Sequence, residues 1–440
     1  MTLTAFSVDN YRSFFDPVEI ELRPLTLLFG YNSVGKSALM RTLPLIAASV
    51  DPMNAAPLAL RSMAARGATF SDLRCQCGSK PDIHFGLRWE GERLGSSSIN
   101  FVIRNEMLRS AQDQRLSEQM ILYLLGFSTP NSYSMLAGWS PAESDISTLN
   151  RYHIEYSPEG ATPWEQATAN LELEGLFPVS LEGDALPNWM PTVLAECQRL
   201  LRSLRTQVHW LGAVRTLPQR RCPYGPPPRR LQPDGEGAAD VLAADDQGDR
   251  SLVAQVSSFY ERATHHRLEV RRQGDLFSIV LSPLGTTPFQ VNILDTGEGM
   301  AQVLPVLVLG AMAAKNRLGQ SPIIGIEQPE LHLHAAAQAE LASYFCEITR
   351  QPSRPRLLIE THSENFLLRV QLEILRGMLK PEDVLVYWIR QLEDGRSVAD
   401  PIPFDELARP RGRGWPTGVF SEDVEQARQI ALERRKRISQ

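Results

Sequence analysis

Cysteine is scarce in this chain: five residues in 440, at positions 75, 77, 197, 222 and 346, odd in number and scattered. That usage excludes a disulfide framework and fits a reducing, cytoplasmic setting. Cys75 and Cys77 form one C-x-C with no second pair nearby, so no zinc site is expected there. Long apolar runs are missing too. The longest, residues 303–314, stops at Lys315 and is too short to cross a bilayer, so no membrane partner is expected. The opening MTLTAFSVDNYRSF lacks a charged start followed by an apolar run, and no signal peptide is expected. There is no internal repeat and no sustained heptad, which excludes long coiled-coil arms. Positive charge is not in excess: 45 Lys+Arg face 51 Asp+Glu, a net charge of −6. Wholesale coating of nucleic acid is therefore not expected, although a local basic patch is compatible with it. With 43% hydrophobic and 22% charged residues the composition is globular. The length allows two to three domains' worth of core, or one large domain with an insertion.

What the sequence does have is punctuated periodicity. Runs at 3–8, 18–22 and 25–29 read as strands, the last bounded by Pro24 and Gly30, and a helix is expected over 35–48. Alternating runs at 83–89 and 99–104 predict an antiparallel layer. Residues 105–190 are the least periodic. A helical patch at 117–125, a Ser/Pro/Gly-rich connection and strand-like pieces near 153–156 and 169–173 together read as a lid or insertion. A helix at 191–206, a strand at 207–211, a Pro- and Arg-rich loop, a helix over 238–264 and paired strands at 268–272 and 277–281 follow. The last third alternates helices (299–314, 334–349, 364–379) with strands (322–326, 356–360, 384–390). Such alternation predicts a parallel sheet covered on both faces. The expected organisation is an N-terminal lobe (1–104), an insertion with helices (105–206), a C-terminal lobe (207–400) and a tail (401–440) ending in a helix near 422–437.

The most specific motif is Gly30-Tyr-Asn32-Ser33-Val-Gly35-Lys36-Ser37, which matches G-x-x-x-x-G-K-[ST] and lies between an apolar strand and an amphipathic helix. Its glycines let backbone N–H groups curl toward phosphate oxygens, and the helix N-terminus adds its positive end. Lys36 reaches the β/γ-phosphates in such a loop, and Ser37 ligates Mg²⁺. A P-loop of this kind works with a carboxylate at the end of a buried strand, and Glu327 stands at the end of the apolar run 322–326. The following Glu330-Leu-His332-Leu-His334 has metal-binding residue types, but the His-x-His abuts a helix and no further ligand set is visible, so a dedicated zinc site is not expected. A further strand runs into Glu360-Thr-His362-Ser363. A histidine there faces the crevice outside the strand ends, where it can sense a γ-phosphate or orient water.

Taken in order, these pieces resemble a family. Phe6…Asn10-Tyr-Arg12-Ser-Phe14, the P-loop, Leu294-Asp-Thr296-Gly297-Glu298, Ile326-Glu327-Gln328-Pro-Glu330-Leu-His-Leu-His334 and Glu360-Thr-His362-Ser363 resemble ABC-type ATPase heads of the SMC-like and overcoming-lysogenization-defect-like kind, which occur as stand-alone AAA-type proteins in prokaryotes. The resemblance covers about residues 1–90 and 205–390. It implies an α/β fold: a P-loop ABC-type head whose mixed or parallel sheet core carries an antiparallel β layer and a helical lid insertion. It implies ATP and Mg²⁺ as ligands, with Arg12, Asn32, Ser33, Gly35, Lys36 and Ser37 at the nucleotide, and Ser37 and Glu327 at the metal. Thr296, Gly297 and Glu298 would form the signature that touches the γ-phosphate held by another subunit, and a hydroxyl with free N–H groups at a helix start suits that role. His362 would be the switch histidine, and Gln76 the glutamine linking metal to lid. Gly414-Trp-Pro-Thr-Gly-Val-Phe420 resembles a tail found in a subset of these ATPases. One residue departs from the pattern. Where an acid usually polarises the attacking water, this chain has Gln328, so either Glu330 supplies the base or hydrolysis is slow; we favour the second.

Eight arginines (199, 202, 205, 215, 220, 221, 229 and 230) fall in one stretch without an acid between them. Arg199, Arg202 and Arg205 share a helix face and offer a surface for nucleic acid or an acidic partner. The expected function is an ATPase that forms a homodimer or higher oligomer around nucleotide and controls a separately encoded effector, with kinship pointing to antiphage or antiplasmid defence. The alternatives are a DNA-binding ATPase working in repair or with a nuclease partner, and an ATP-gated scaffold with little turnover. No Glu with Asp-x-Asp cluster suited to a built-in nuclease is visible after residue 363.

Overall fold

A computed structural model describes residues 1–91, 95–109, 116–129, 133–139, 149–158, 163–285 and 289–412. The tail turn at 414–420 and the helix expected near 422–437 lie outside the described residues. The chain opens with β1 (Thr2–Asp9), β2 (Val18–Glu21), β3 (Leu25–Gly30) and helix α1 (Lys36–Ser49). One turn of helix, α2 (Phe70–Leu73), precedes β4 (Ile83–Gly91), β5 (Gly95–Arg109), β6 (Leu116–Ser128), β7 (Tyr133–Trp139), β8 (Arg151–Pro158), β9 (Glu165–Glu174) and β10 (Phe177–Glu182). Then come α3 (Met190–Gln207), β11 (Val208–Leu211), the two-residue β12 (Cys222–Pro223), α4 (Ala238–Asp246), α5 (Ser251–Thr264), β13 (His266–Gln273), β14 (Leu276–Pro283) and β15 (Val291–Asn292). The last third is α6 (Glu298–Ala314), β16 (Ile323–Glu327), α7 (Ala335–Thr349), β17 (Arg356–Thr361), α8 (Glu364–Leu375), β18 (Val384–Gln391) and β19 (Ser397–Ile402).

The central sheet has the order β11-β16-β17-β3-β18-β19 and is parallel except for β19. Strands β3, β16 and β17 are almost wholly buried, as a parallel sheet covered on both faces requires. Alternate side chains serve two cores. Leu28, Ile323 and Leu358 pack with α1, α3 and the N-terminal sheet, whereas Leu27, Ile324 and Ile359 pack with α4 to α8. Helix α6 is buried along nearly its whole length at the centre of the second core. The apolar run 303–314 is thus a core helix, and no helix among the described residues is long and apolar enough to cross a membrane. A nine-stranded antiparallel sheet, β10-β9-β8-β7-β6-β5-β4-β1-β2, and a small sheet of β12, β14, β13 and β15 complete the fold.

The α/β class and mixed sheets agree with the expectation, but the helical lid does not. Residues 117–125 lie in β6, paired with β5 from Ser98↔Ser128 to Arg109↔Leu116. The segment Met-Ile-Leu-Tyr-Leu-Leu satisfies helical spacing and alternation equally; the long hairpin partner decides, because β-ladder pairing and the buried Ile121, Leu122, Leu125 and Phe127 outweigh local preference. Among the described residues, α3 is the only helix in 105–206, and position 104 lies inside β5. The segment extends the N-terminal sheet strand by strand.

The helix expected over 238–264 is two helices. It breaks at 247–250, where Arg250 adopts φ 58° and the buried Asp245 carboxylate accepts N–H bonds from Leu252 (2.8 Å) and Val253 (3.0 Å) at the start of α5. Removing such a cap costs about 1–2 kcal/mol. Asp245→Ala is therefore expected to lower the stability of the chain by that amount in chemical denaturation, while the helix content by circular dichroism stays near that of the unsubstituted protein.

Candidate functional site

The P-loop is shaped by what lies beneath it. At Gly30 (φ 153°) a Cβ would stand 2.2 Å from the Ile389 carbonyl of β18, and at Gly35 (φ 102°) it would stand 2.6 Å from Ser13 Oγ and 2.8 Å from the Phe14 ring. The opening segment Tyr11-Arg12-Ser13-Phe14 therefore packs directly under the loop, and only glycine fits both positions. Ser33 takes φ 64°, so the loop curls before α1 begins at Lys36. A cavity of about 640 Å³ opens here. Of the residues expected at a nucleotide, Arg12, Asn32, Ser33, Gly35, Lys36, Ser37, Gln76, Gln328 and His362 line it. Glu327 and Glu330 do not, while Glu360 does.

Strand order explains that difference. β17 lies between the P-loop strand β3 and the acidic strand β16, with Glu360 level with Leu28 on one side and Glu327 on the other. Ser37 Oγ donates to Glu360 Oε1 at 2.8 Å, and Glu360 Oε2 is buried without a partner. Burial, and then the nearby Glu327 charge, push the Glu360 carboxyl up to about 7. Lys36 Nζ donates to the Tyr31 carbonyl, and burial brings the amine down to about 8 against the pull of Glu360 and Glu330.

Glu327 is held elsewhere. Both its oxygens accept from Arg41, one through Nε at 2.6 Å and the other through the guanidinium Nη2, and Trp210 Nε1 adds a bond at 3.1 Å. Arg41 lies on α1 and Trp210 on β11, so this carboxylate ties three elements together. Beneath it the buried Arg215 donates to the carbonyls of Glu327 and Gln328, and its own carbonyl accepts from Gln302 of α6 at 3.0 Å. No motif picks out Arg41 or Trp210, and Glu360 stands in the histidine motif without a role of its own; their sequence signal is position, within α1 and on core strands.

Gln328 has φ 42°, its N–H donates to the Glu360 carbonyl at 2.8 Å, and it borders the cavity. Glu330 is buried, accepts the His362 backbone N–H at 2.8 Å, and burial raises its carboxyl. The His362 imidazole is brought down to about 4 by burial and by Lys36, and bonds the Gly30 backbone, so it is neutral at physiological pH. His334 caps α7 and His332 sits 4.0 Å from Glu298.

The signature segment lies apart. Thr296 Oγ1 donates to the Ile293 carbonyl at 2.7 Å, and Gly297 (φ 104°) and Glu298 are exposed at the start of α6, away from this chain's own cavity lining. The expected basic face is largely occupied: Arg199 pairs with Glu196, Arg205 with Asp51 at 2.8 Å, and Arg202 lies over the Phe177 ring at 5.0 Å. Arg220 pairs with Asp295, and Arg230 donates to the carbonyls of Arg205 and Val208.

Among the described residues no three His, Cys, Asp or Glu side chains form a metal cage. The donor set instead suits Mg²⁺, which takes one or two protein oxygens and completes its shell with phosphate and water. The unpartnered Glu360 oxygen beside Ser37 fits that requirement.

Residues 254–367, from α5 into α8, match the AAA ATPase domain family. A solved SMC head bound to the C-winged helix domain of ScpA is 11% identical over 92% of this chain and 98% of that one, with a TM-score of 0.50. The chain has the fold of that SMC head. Two other SMC heads are also similar. One, from Thermotoga maritima, is 10% identical, covering 92% of this chain and all of that one, with a TM-score of 0.43. The other has an extended coiled coil and is bound to the C-terminal domain of ScpA derived from Pyrococcus furiosus; it is 11% identical, covers 99% of each chain, and has a TM-score of 0.47. No curated protein matches the sequence.

The Arg41–Glu327 pair is buried on the Glu327 side and well covered on the other. Removing one partner of a buried pair leaves an uncompensated charge and costs about 3–5 kcal/mol. Arg41→Ala is expected to show that loss in urea unfolding, and the double variant Arg41→Met, Glu327→Leu to recover much of it.

Proposed function

We propose that this chain is an ATP-binding, slowly hydrolysing head that closes on nucleotide as a dimer and passes the change to a separate partner protein. The observation that carries the reading is the convergence of Lys36, Ser37, Glu360, Gln328 and His362 on one cavity from α1 and the ends of β16 and β17. The loop amides and Lys36 cradle phosphates, and Ser37 sits where a cation would neutralise the β/γ oxygens. When bound, Mg²⁺ supplies that charge neutralisation.

Slow turnover follows from the acid that is missing. Gln328 borders the cavity but cannot accept a proton, whereas Glu330 is buried and bonded to the His362 amide. A neutral His362 can orient a water or contact a γ-phosphate without carrying charge. Dimer closure is supported by the exposed signature, whose Thr296, Gly297 and Glu298 do not border their own chain's cavity. A helix start with free N–H groups offers a site for a phosphate held by another copy. The known structure of an SMC head with ScpA bound supports a partner-controlled role. Defence against phage or plasmids rests on family resemblance, and an ATP-gated scaffold is the same reading at its slow limit. The pairing of Arg199 and Arg205 with acids gives no particular support to nucleic-acid contact.

Phosphate release and fluorescent-nucleotide binding test this reading. Lys36→Ala is expected to weaken nucleotide binding by about 10- to 100-fold, the loss of a charge-assisted bond. Gln328→Glu is expected to raise turnover by about 100-fold, the lower range for a positioned general base. Fast turnover by the unsubstituted chain, unchanged in Gln328→Glu, contradicts the slow-head reading.

A further inference from the structure

We infer that the cavity between the C-terminal ends of α1 and α3 and strand β11 is a second ligand site, suited to a small phosphomonoester that carries hydroxyl groups, of the class of a nucleoside monophosphate. It shares no lining residue with the P-loop cavity, so the inference goes beyond the nucleotide reading above and does not rest on it.

Size, charge and unmet hydrogen bonds carry it. At about 790 Å³ this cavity is larger than the one at the P-loop and lies in the range of small-molecule sites. Arg202, Arg205 and Arg230 line it against one acid among the described residues, Asp51, and Arg205 occupies that acid at 2.8 Å. Arg202 lies over the Phe177 ring, and Arg230 is fixed by the carbonyls of Arg205 and Val208. A ring or a carbonyl positions a guanidinium without cancelling its charge. The two helix ends bring only about half a negative charge each, so positive charge remains in excess. A phosphomonoester, with a charge of about −1.5 to −2 and three strong acceptor oxygens, matches that excess. His209 also lines the cavity and is 6% exposed; its ring bonds the Thr206 backbone, and Nε2 is buried without a partner. Burial, and then the Arg230 charge, bring the imidazole down to about 3, so it is neutral at physiological pH and Nε2 accepts from a hydroxyl. Ser62 Oγ, in the same lining, is likewise buried without a partner. Buried polar groups of native proteins find partners, and a hydroxyl-bearing ligand supplies them here. Pro44, Ala47, Ala48, Met63 and Pro233 give the body of that ligand an apolar wall. Groups as enclosed as His209 and Ser62 Oγ lie beyond the reach of a nucleic-acid backbone, which favours a small occupant.

The test is isothermal titration of AMP and of ribose 5-phosphate into the full chain, with a saturating non-hydrolysable ATP analogue and Mg²⁺ present to occupy the P-loop, and with thermal melting as a fold control. Both probes are expected to bind under these conditions, and adenosine, which lacks the phosphate, to bind about 10- to 100-fold more weakly than AMP. Arg202→Ala is expected to weaken AMP binding by about 10-fold, the loss of one charge-assisted bond. Ser62→Ala is expected to weaken AMP binding while keeping or raising the melting temperature, because it removes a buried hydroxyl that has no partner in the free chain. A merely structural serine would lower the melting temperature and leave AMP binding unchanged. Absence of binding by both probes overturns the inference, as does an unchanged AMP affinity in folded Arg202→Ala and Ser62→Ala. Binding of single- or double-stranded oligonucleotides that is lost in Arg202→Ala, with no binding of AMP, also overturns it and assigns the arginines to nucleic acid.

Discussion

Burying three carboxylates within one small region is the constraint from which much of this structure follows. Glu327, Glu330 and Glu360 all lie at or just beyond the ends of two adjacent parallel strands, and all three are buried. Like charges so placed cannot all remain ionised without compensation. Three cations supply it: Lys36 and Arg41 from α1 and Arg215 from the loop after β11. Each cation is itself covered, so removing one strands a partner. The arrangement therefore couples the P-loop helix to the acidic strands through charge as well as packing. A nucleotide, which brings its own negative phosphates and a divalent metal, would enter a site whose charges are already balanced at close range.

That balance also ties the site to distant elements. Arg215 grips the carbonyls of Glu327 and Gln328 while its own carbonyl is bonded by Gln302, on the helix that starts with the signature. The signature helix and the acidic strand thus share one buried arginine. His362 is linked to the P-loop through the Gly30 backbone and to Glu330 through its own amide. A shift at any of these points has few ways to be absorbed, because the surrounding core is close-packed.

Much of the fold was legible because it is written locally. The glycines of the P-loop, the apolar strand before it and the helix after it all lie between Leu25 and Ser49, and the structure adds that Phe14 and Ile389 leave no room for a side chain at Gly35 and Gly30. The last third alternates strand and helix by period, and the parallel sheet is there. The failure at 117–125 has the opposite cause. A short apolar run with both periods is decided by its partner strand, and the partner, β5, joins it through a hairpin whose register no local pattern announces. The split between α4 and α5 was also hidden, because the capping acid, Asp245, lies within α4, seven positions before the Leu252 amide it accepts from.

The sequence by itself determined the phosphate loop, the order of its motifs, the Gln328 substitution and the α/β class, since each depends on neighbours in the chain. Only the tertiary structure decided which acid meets Ser37. Ser37 and Glu360 are 323 positions apart, and Arg41 and Glu327 are 286 apart. Glu327 follows the strand that motif order favours, but the sheet places β17 between it and the P-loop. Strand order in space sets which side chains share a crevice, and strand order in the chain does not reveal it.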